Sequence, residues 1–169
     1  MRKREFFIES EEVCNCPKCQ SLLTYRDKVI RKQKLLNGEQ EIYKINRMQC
    51  TNENCRTLHR QLPDFMVAYK QYTAEAIEDV LDGVISEEDG LDKPCENTMK
   101  NWRKWFAGMR QQAEGQIHSA GYRLLDFSTE FLNSCESLLE GLRERISPGW
   151  LGMVGRLVYN TGGTLLICA

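Results

Sequence analysis

Four thiols in two pairs form a metal-ligand pattern: Cys16 and Cys19 in Cys-Pro-Lys-Cys, and Cys50 and Cys55 in Cys-Thr-Asn-Glu-Asn-Cys. Two thiolates on each of two turns, brought face to face, meet the tetrahedral demand of zinc. Four sulfurs close the coordination sphere, so such a site holds structure and leaves no position for a catalytic water. The first pair has the spacing of a zinc knuckle, and Pro17 fixes the backbone of its turn. The second pair is wider, which leaves His59 open as a substitute ligand and Cys14 as a spare one. Eight cysteines in a chain with no other secretory feature read as metal ligands and buried thiols, not as a disulfide framework. Cys14, Cys95, Cys135 and Cys168, outside the two pairs, are expected in the core.

A hairpin must bring the pairs together. Tyr25 to Leu36 and Glu41 to Met48 carry strand-forming residues on either side of Asn37-Gly38, a strong short-range turn signal. Folding back at that turn places the second pair beside the first, as in a zinc ribbon. A polar stretch this short needs such a staple to fold. The expected fold class is α+β: a small N-terminal zinc-ribbon β-hairpin domain over residues 1–63, then an all-α, helix-turn-helix-like bundle over residues 64–169.

In the second part, Ile77, Val80 and Leu81 recur at helical spacing and Gly83 is a stop signal. A long helix is predicted from near Glu96, with Met99, Trp102, Phe106 and Met109 on one stripe. Asn97, Lys100, Asn101, Arg103 and Lys104 populate its other surface. Lysine and arginine neutralise phosphates or reach guanine, and asparagine pairs with adenine edges, so these five are the candidate DNA contacts. With the preceding helix they suggest a helix-turn-helix over residues 73–110. The humbler alternative is an amphipathic helix with a solvated charged face. Farther on, Leu125, Leu132, Leu139 and Ile146 recur every seventh position beside the row Leu124, Phe131 and Leu138. This double row predicts a face that packs on the long helix, with a homodimer seam as the alternative, and a last helix is expected from Trp150 to Tyr159.

Local charge says more than the net value of −1. Residues 1–63 hold 13 basic and 8 acidic side chains, residues 64–93 hold 2 and 9, and residues 94–111 hold 4 and 1. Asp79, Asp82, Glu87, Glu88, Asp89 and Asp92 are read as a solvated loop facing away from any duplex. No apolar run reaches the roughly 18 residues of a spanning helix, and no signal peptide is evident, so a cytoplasmic protein without membrane association is expected. No glycine-rich phosphate loop is found, His59 sits beside the ribbon and His118 has no nucleophile signature near it, so neither an enzyme nor a small-molecule substrate is expected.

Cys16-Pro17-Lys18-Cys19, Ile45-Asn46-Arg47-Met48-Gln49-Cys50, Arg56-Thr57-Leu58-His59, Leu62-Pro63-Asp64-Phe65, Tyr69-Lys70-Gln71-Tyr72 and the stretch 94–102 together resemble an uncharacterised bacterial domain-of-unknown-function family. Its members begin with a zinc ribbon and are similar to the DNA-binding front ends of transposases. The resemblance spans most of residues 14–106 and implies a mobile-element setting; it supplies no reaction. Cys95 departs from it, standing where a serine would cap the long helix. The functional expectation is a zinc-binding, double-stranded-DNA-binding protein, acting as a regulator or as a detached transposase recognition module. Its alternative is a zinc-ribbon adaptor that docks a protein partner through the helical domain. RNA binding by the hairpin, with Tyr25 and Tyr43 as the nearby aromatics, ranks behind both.

Overall fold

Strand β2, Leu23–Lys34, and strand β3, Gln40–Cys50, form the predicted antiparallel hairpin. In its loop Gly38 N donates to Leu35 O at 3.1 Å, and Leu35 N donates to Glu39 O at 2.9 Å. Gly38 takes φ 79°, which side chains resist, so the loop is a type I turn closed by a left-handed glycine. The structure, a computed structural model, describes residues 4–10, 13–86, 90, 93–124, 128–133 and 137–160.

β3 is the central strand. Strand β2 pairs along one edge of it; along the other, β1, Arg4–Phe7, runs parallel beside residues 41–44, and β4, Leu58–Arg60, runs antiparallel beside residues 47–49. Side chains alternate between the two faces. One face packs on the segment that leads into the helices: Phe6 stacks on Tyr43 at 5.1 Å, Tyr43 meets Phe65 at 5.2 Å, and Arg31 Nη2 donates to Val67 O and Lys70 O at 3.1 and 2.7 Å. Ile45 is fully buried beneath this layer. On the opposite face Phe7 and Ile30 are exposed, beside exposed Lys28 and Lys32 and half-buried Lys44.

Helix α1, Ala74–Leu81, starts at Thr73, whose hydroxyl accepts from Ala76 N at 3.2 Å, and ends before Gly83 at φ 78°. Helix α2, Glu96–Leu124, buries Met99, Trp102, Phe106, Met109, Ala113, Ile117 and Ala120 at three- and four-residue intervals. Fully burying each of the larger of these stabilises by about 1.5–3 kcal/mol. Cys95 takes the role expected of serine at the start of α2: its thiol lies 3.1 Å from Thr98 Oγ1, and hydrogen bonds from the Thr98 side chain and backbone lower its pKa. It is exposed, which corrects its expected place in the core. Residues 82–95 join α1 to α2, a longer connection than the roughly 3–4-residue turn of a helix-turn-helix.

The following stretch is not one continuous helix. Helix α3, Thr129–Leu132, and helix α4, Leu138–Arg145, each restart behind a serine cap, Ser128 and Ser137. Leu138 and Leu139 are buried against the body formed around α2, as favoured from their spacing, and Leu142 joins them. Leu125 and Cys135 lie outside the described residues, as do Cys168, Glu87, Glu88, Asp89 and Asp92. Helix α5, Trp150–Asn160, closes the core with Trp150 edge-on to Phe106 at 5.2 Å.

Two carboxylates tie these helices together. Glu78 on α1 accepts from Gly149 N at 2.8 Å and Leu151 N at 2.7 Å, satisfying orphan donors at the start of α5. Glu114 on α2 accepts in the same way from Leu138 N at 3.0 Å. Asp82 departs from the solvated loop expected of it: it accepts from Trp150 Nε1 at 3.0 Å and pairs with Arg143. Among the described residues, no helix is long and apolar enough to cross a membrane.

Candidate metal centre

The hairpin brings Cys16, Cys19, Cys50 and Cys55 together, with the four sulfurs all within 4.8 Å of one another. Cys16 Sγ lies 3.8 Å from Cys55 Sγ, and Cys19 Sγ lies 3.4 Å from Cys50 Sγ. Four sulfurs about 2.3 Å from a tetrahedral metal ion stand about 3.8 Å apart, so the cluster is compatible with a metal site. All four are free thiols. Among the described residues, only Leu23 and Met48 add non-cysteine apolar surface around them, little for a core, and a metal at this point would supply much of the local folding energy.

The two turns are built alike. In the first, Cys16 O accepts from Gln20 N at 2.7 Å and Cys16 N donates to Ser21 O at 2.8 Å. In the second, Cys50 N donates to Thr57 O at 3.0 Å, and Asn52 O accepts from both Cys55 N and Arg56 N. Asn52 Oδ1 also accepts from Asn54 N at 2.9 Å, an Asx turn that absorbs the two extra residues of this loop. The residue after each second cysteine turns left-handed, Gln20 at φ 61° and Arg56 at φ 42°.

The environment sorts the thiols by ease of ionisation. Hydrogen bonds from the Ser21 side chain and backbone lower Cys19 to about 6, and those from Thr57 lower Cys55. Burial pushes Cys50 up to about 12, and binding a cation there would displace its proton.

His59 is beside the cluster, not within it. Its Nε2 is 3.3 Å from Cys16 Sγ, and its Nδ1 hydrogen-bonds the Tyr159 hydroxyl, with the rings edge-on at 5.9 Å. Burial lowers its pKa, with Lys18 adding a smaller push, and favours the neutral ring. A neutral imidazole carries one N–H. With a thiolate at Cys16, that proton belongs on Nε2, and Nδ1 then accepts from Tyr159. His59 would thus orient a ligand and link it to α5, the kind of outer partner that fixes metal sites. Tyr159 has no signal in the sequence near the cysteines, being a hundred residues from its partner. Cys14 packs against the cluster's flank, where Gln61 Nε2 reaches its sulfur at 3.7 Å.

The other predicted site residues lie on α2, on a separate surface. Asn97, Lys100, Asn101 and Lys104 are exposed; Arg103 is half-buried, and Lys100 pairs with Glu96.

Taken together, fold and site define a mixed α+β chain: a four-stranded sheet bearing a cysteine cluster, followed by a mainly helical half. The chain belongs to the family described as Domain of unknown function (DUF6431), which matches residues 16–102 and so takes in all four cysteines and the start of α2. That match carries no link to transposases. No curated protein and no solved structure matches the chain.

Proposed function

We propose that this is a zinc-binding protein that contacts duplex DNA through the first half of α2, with the cysteine-bearing hairpin as a zinc-ribbon module. The observation that carries the reading is the stripe of Asn97, Lys100, Asn101 and Lys104, exposed on the side of α2 opposite buried Met99, Trp102 and Phe106. Two ammonium groups and two amides within about a third of the helix circumference suit a phosphate backbone and adenine edges. Zinc is the metal that a closed set of four thiolates favours. The reading rests on α2 itself rather than on a helix-turn-helix pair, given the long connection between α1 and α2. A mobile-element role rests on sequence resemblance alone. The adaptor reading needs an apolar face on the C-terminal helices and draws no support from Leu138, Leu139 and Leu142, which are buried in the chain's own core.

Binding of the zinc-loaded chain to a mixed pool of labelled duplexes, measured across a salt series, tests the proposal. The Lys100→Ala/Lys104→Ala variant should bind more weakly, its salt slope shallower by about 0.9 for each phosphate that is no longer neutralised. Duplex affinity and slope equal to wild type would remove α2 from the account.

A further inference from the structure

The open face of the sheet is put together by a strand that the hairpin alone does not contain. Strand β1 sets Phe7 opposite Lys44 in the parallel register, and β2 sets Ile30 opposite Lys44 from the other side. Phe7 is 61% exposed and Ile30 is 64% exposed. The Lys44 ammonium lies 4.8 Å from the centre of the Phe7 ring and the Lys28 ammonium 5.6 Å from it. Lys32, exposed and opposite Ile42, continues the same row. Of the two nearby aromatics read from the sequence, Tyr43 is on the covered face and Tyr25 is exposed.

Lysines on an outer strand have a structural use, because they discourage another chain from pairing with the edge. That use does not require a phenylalanine held in water between two ammonium groups, a costly position for an apolar ring. Aromatic rings exposed among lysines are what single-stranded nucleic acids bind: bases stack on the ring whatever their sequence, and cations follow the phosphates. Two acidic groups share the surface, Glu5 at 3.2 Å from Lys44 and Glu9 at 3.3 Å from Lys28. Both are largely exposed, and ion pairs of that kind exchange readily for a phosphate.

We propose that this face binds a single-stranded polynucleotide, with Phe7 as the platform for one base and Lys28, Lys32 and Lys44 as phosphate contacts. The inference goes beyond the α2 reading and stands on different residues. Neighbouring bases rest on Ile30, and the sugar identity is left to the experiment.

Fluorescence anisotropy of the zinc-loaded chain with labelled oligo-dT and oligo-U, across a salt series, tests it. Phe7→Ala should weaken binding roughly tenfold, and Phe7→Trp, which keeps a stacking surface, should restore it. Lys28→Ala and Lys32→Ala should each flatten the salt slope by about 0.7. Phe7 is exposed, so far-ultraviolet dichroism and zinc content should match wild type in every variant. Lys100→Ala/Lys104→Ala should leave single-strand binding intact, while Phe7→Ala leaves duplex binding intact, so the two readings fail separately. A preference for oligo-dT or oligo-U names the natural strand. Equal affinity of Phe7→Ala and wild type overturns the proposal, as does competition by polyglutamate at the same charge concentration, which would mark a surface for acidic protein.

Discussion

Replacing Tyr159 with phenylalanine removes one oxygen from the far end of the chain and should loosen the metal. In the folded protein that hydroxyl is the described partner of His59 Nδ1, and His59 is only 7% exposed. A buried polar group left without a partner costs about 1–3 kcal/mol. The ring itself stays, so its edge-on packing against His59 is kept and no cavity forms. Where the cost falls depends on the imidazole: a thiolate at Cys16 draws the proton to Nε2 and leaves Nδ1 bare, so the metal-loaded state bears most of it. Destabilising that state by about 1–3 kcal/mol corresponds to roughly 5- to 150-fold weaker zinc binding. This overlaps the roughly 10- to 100-fold that outer partners of metal-bound histidines typically contribute, although here the histidine touches a ligand and not the metal. Competition against a chromogenic chelator measures it, with melting in excess chelator as the reference for the metal-free fold. In a His59→Gln background the Tyr159→Phe change should fall silent, since the two act as one unit. Equal zinc affinity of Tyr159→Phe and wild type would refute the coupling of α5 to the site.

Two helical glycines should respond in opposite ways to alanine. A Cβ on Gly152 meets the backbone oxygen of Asp64, so Gly152→Ala pushes α5 off the segment below it and should cost about 1–3 kcal/mol. A Cβ on Gly115 meets nothing within 4 Å in the middle of α2, so Gly115→Ala should stabilise by about 0.5–1 kcal/mol. In a chain of 169 residues each kcal/mol moves Tm by about 2–4 °C, and calorimetry giving both changes the same sign would count against the packing described. Burial raises the Glu78 carboxyl above its usual range, against the pull of the Gly149 and Leu151 N–H groups. The folded chain therefore holds a proton that the unfolded chain has released, and the stability this group adds is lost as pH rises from the ordinary glutamate value through the raised one. The Tm gap between wild type and Glu78→Gln should be wider near pH 5 than near pH 7; a gap that narrows on acidification contradicts the shift.

The parts legible in the sequence are those with local causes. Asn37-Gly38 announces its turn, the cysteine pairs announce their knuckles, and the three- and four-residue spacing from Met99 to Met109 announces α2. Strand β1 is not legible, because four residues that pair in parallel with a distant strand leave no periodic trace. The restart of α4 does leave one: Ser137-Leu138-Leu139-Glu140 has capping-box spacing, which the seven-residue rows of leucine obscure. His59 is legible as a neighbour of the thiols, but its rank depends on geometry, and its Nε2 approaches a sulfur rather than the centre of the cluster. Asp82 reads as part of an acidic loop and Glu78 carries no signal of its own; the approach of α5, far along the chain, gives them donors.

Metal content with ligand-by-ligand replacement tests the central claim most directly. The chain purified from zinc-supplemented cells should carry a single equivalent of zinc by mass spectrometry under native conditions. Serine at Cys16, Cys19, Cys50 or Cys55 should each abolish it, and serine at Cys14 or Cys95 should leave it unchanged. A zinc-free chain that keeps its fold and a reversible melt, or full zinc content in Cys50→Ser, would contradict the account.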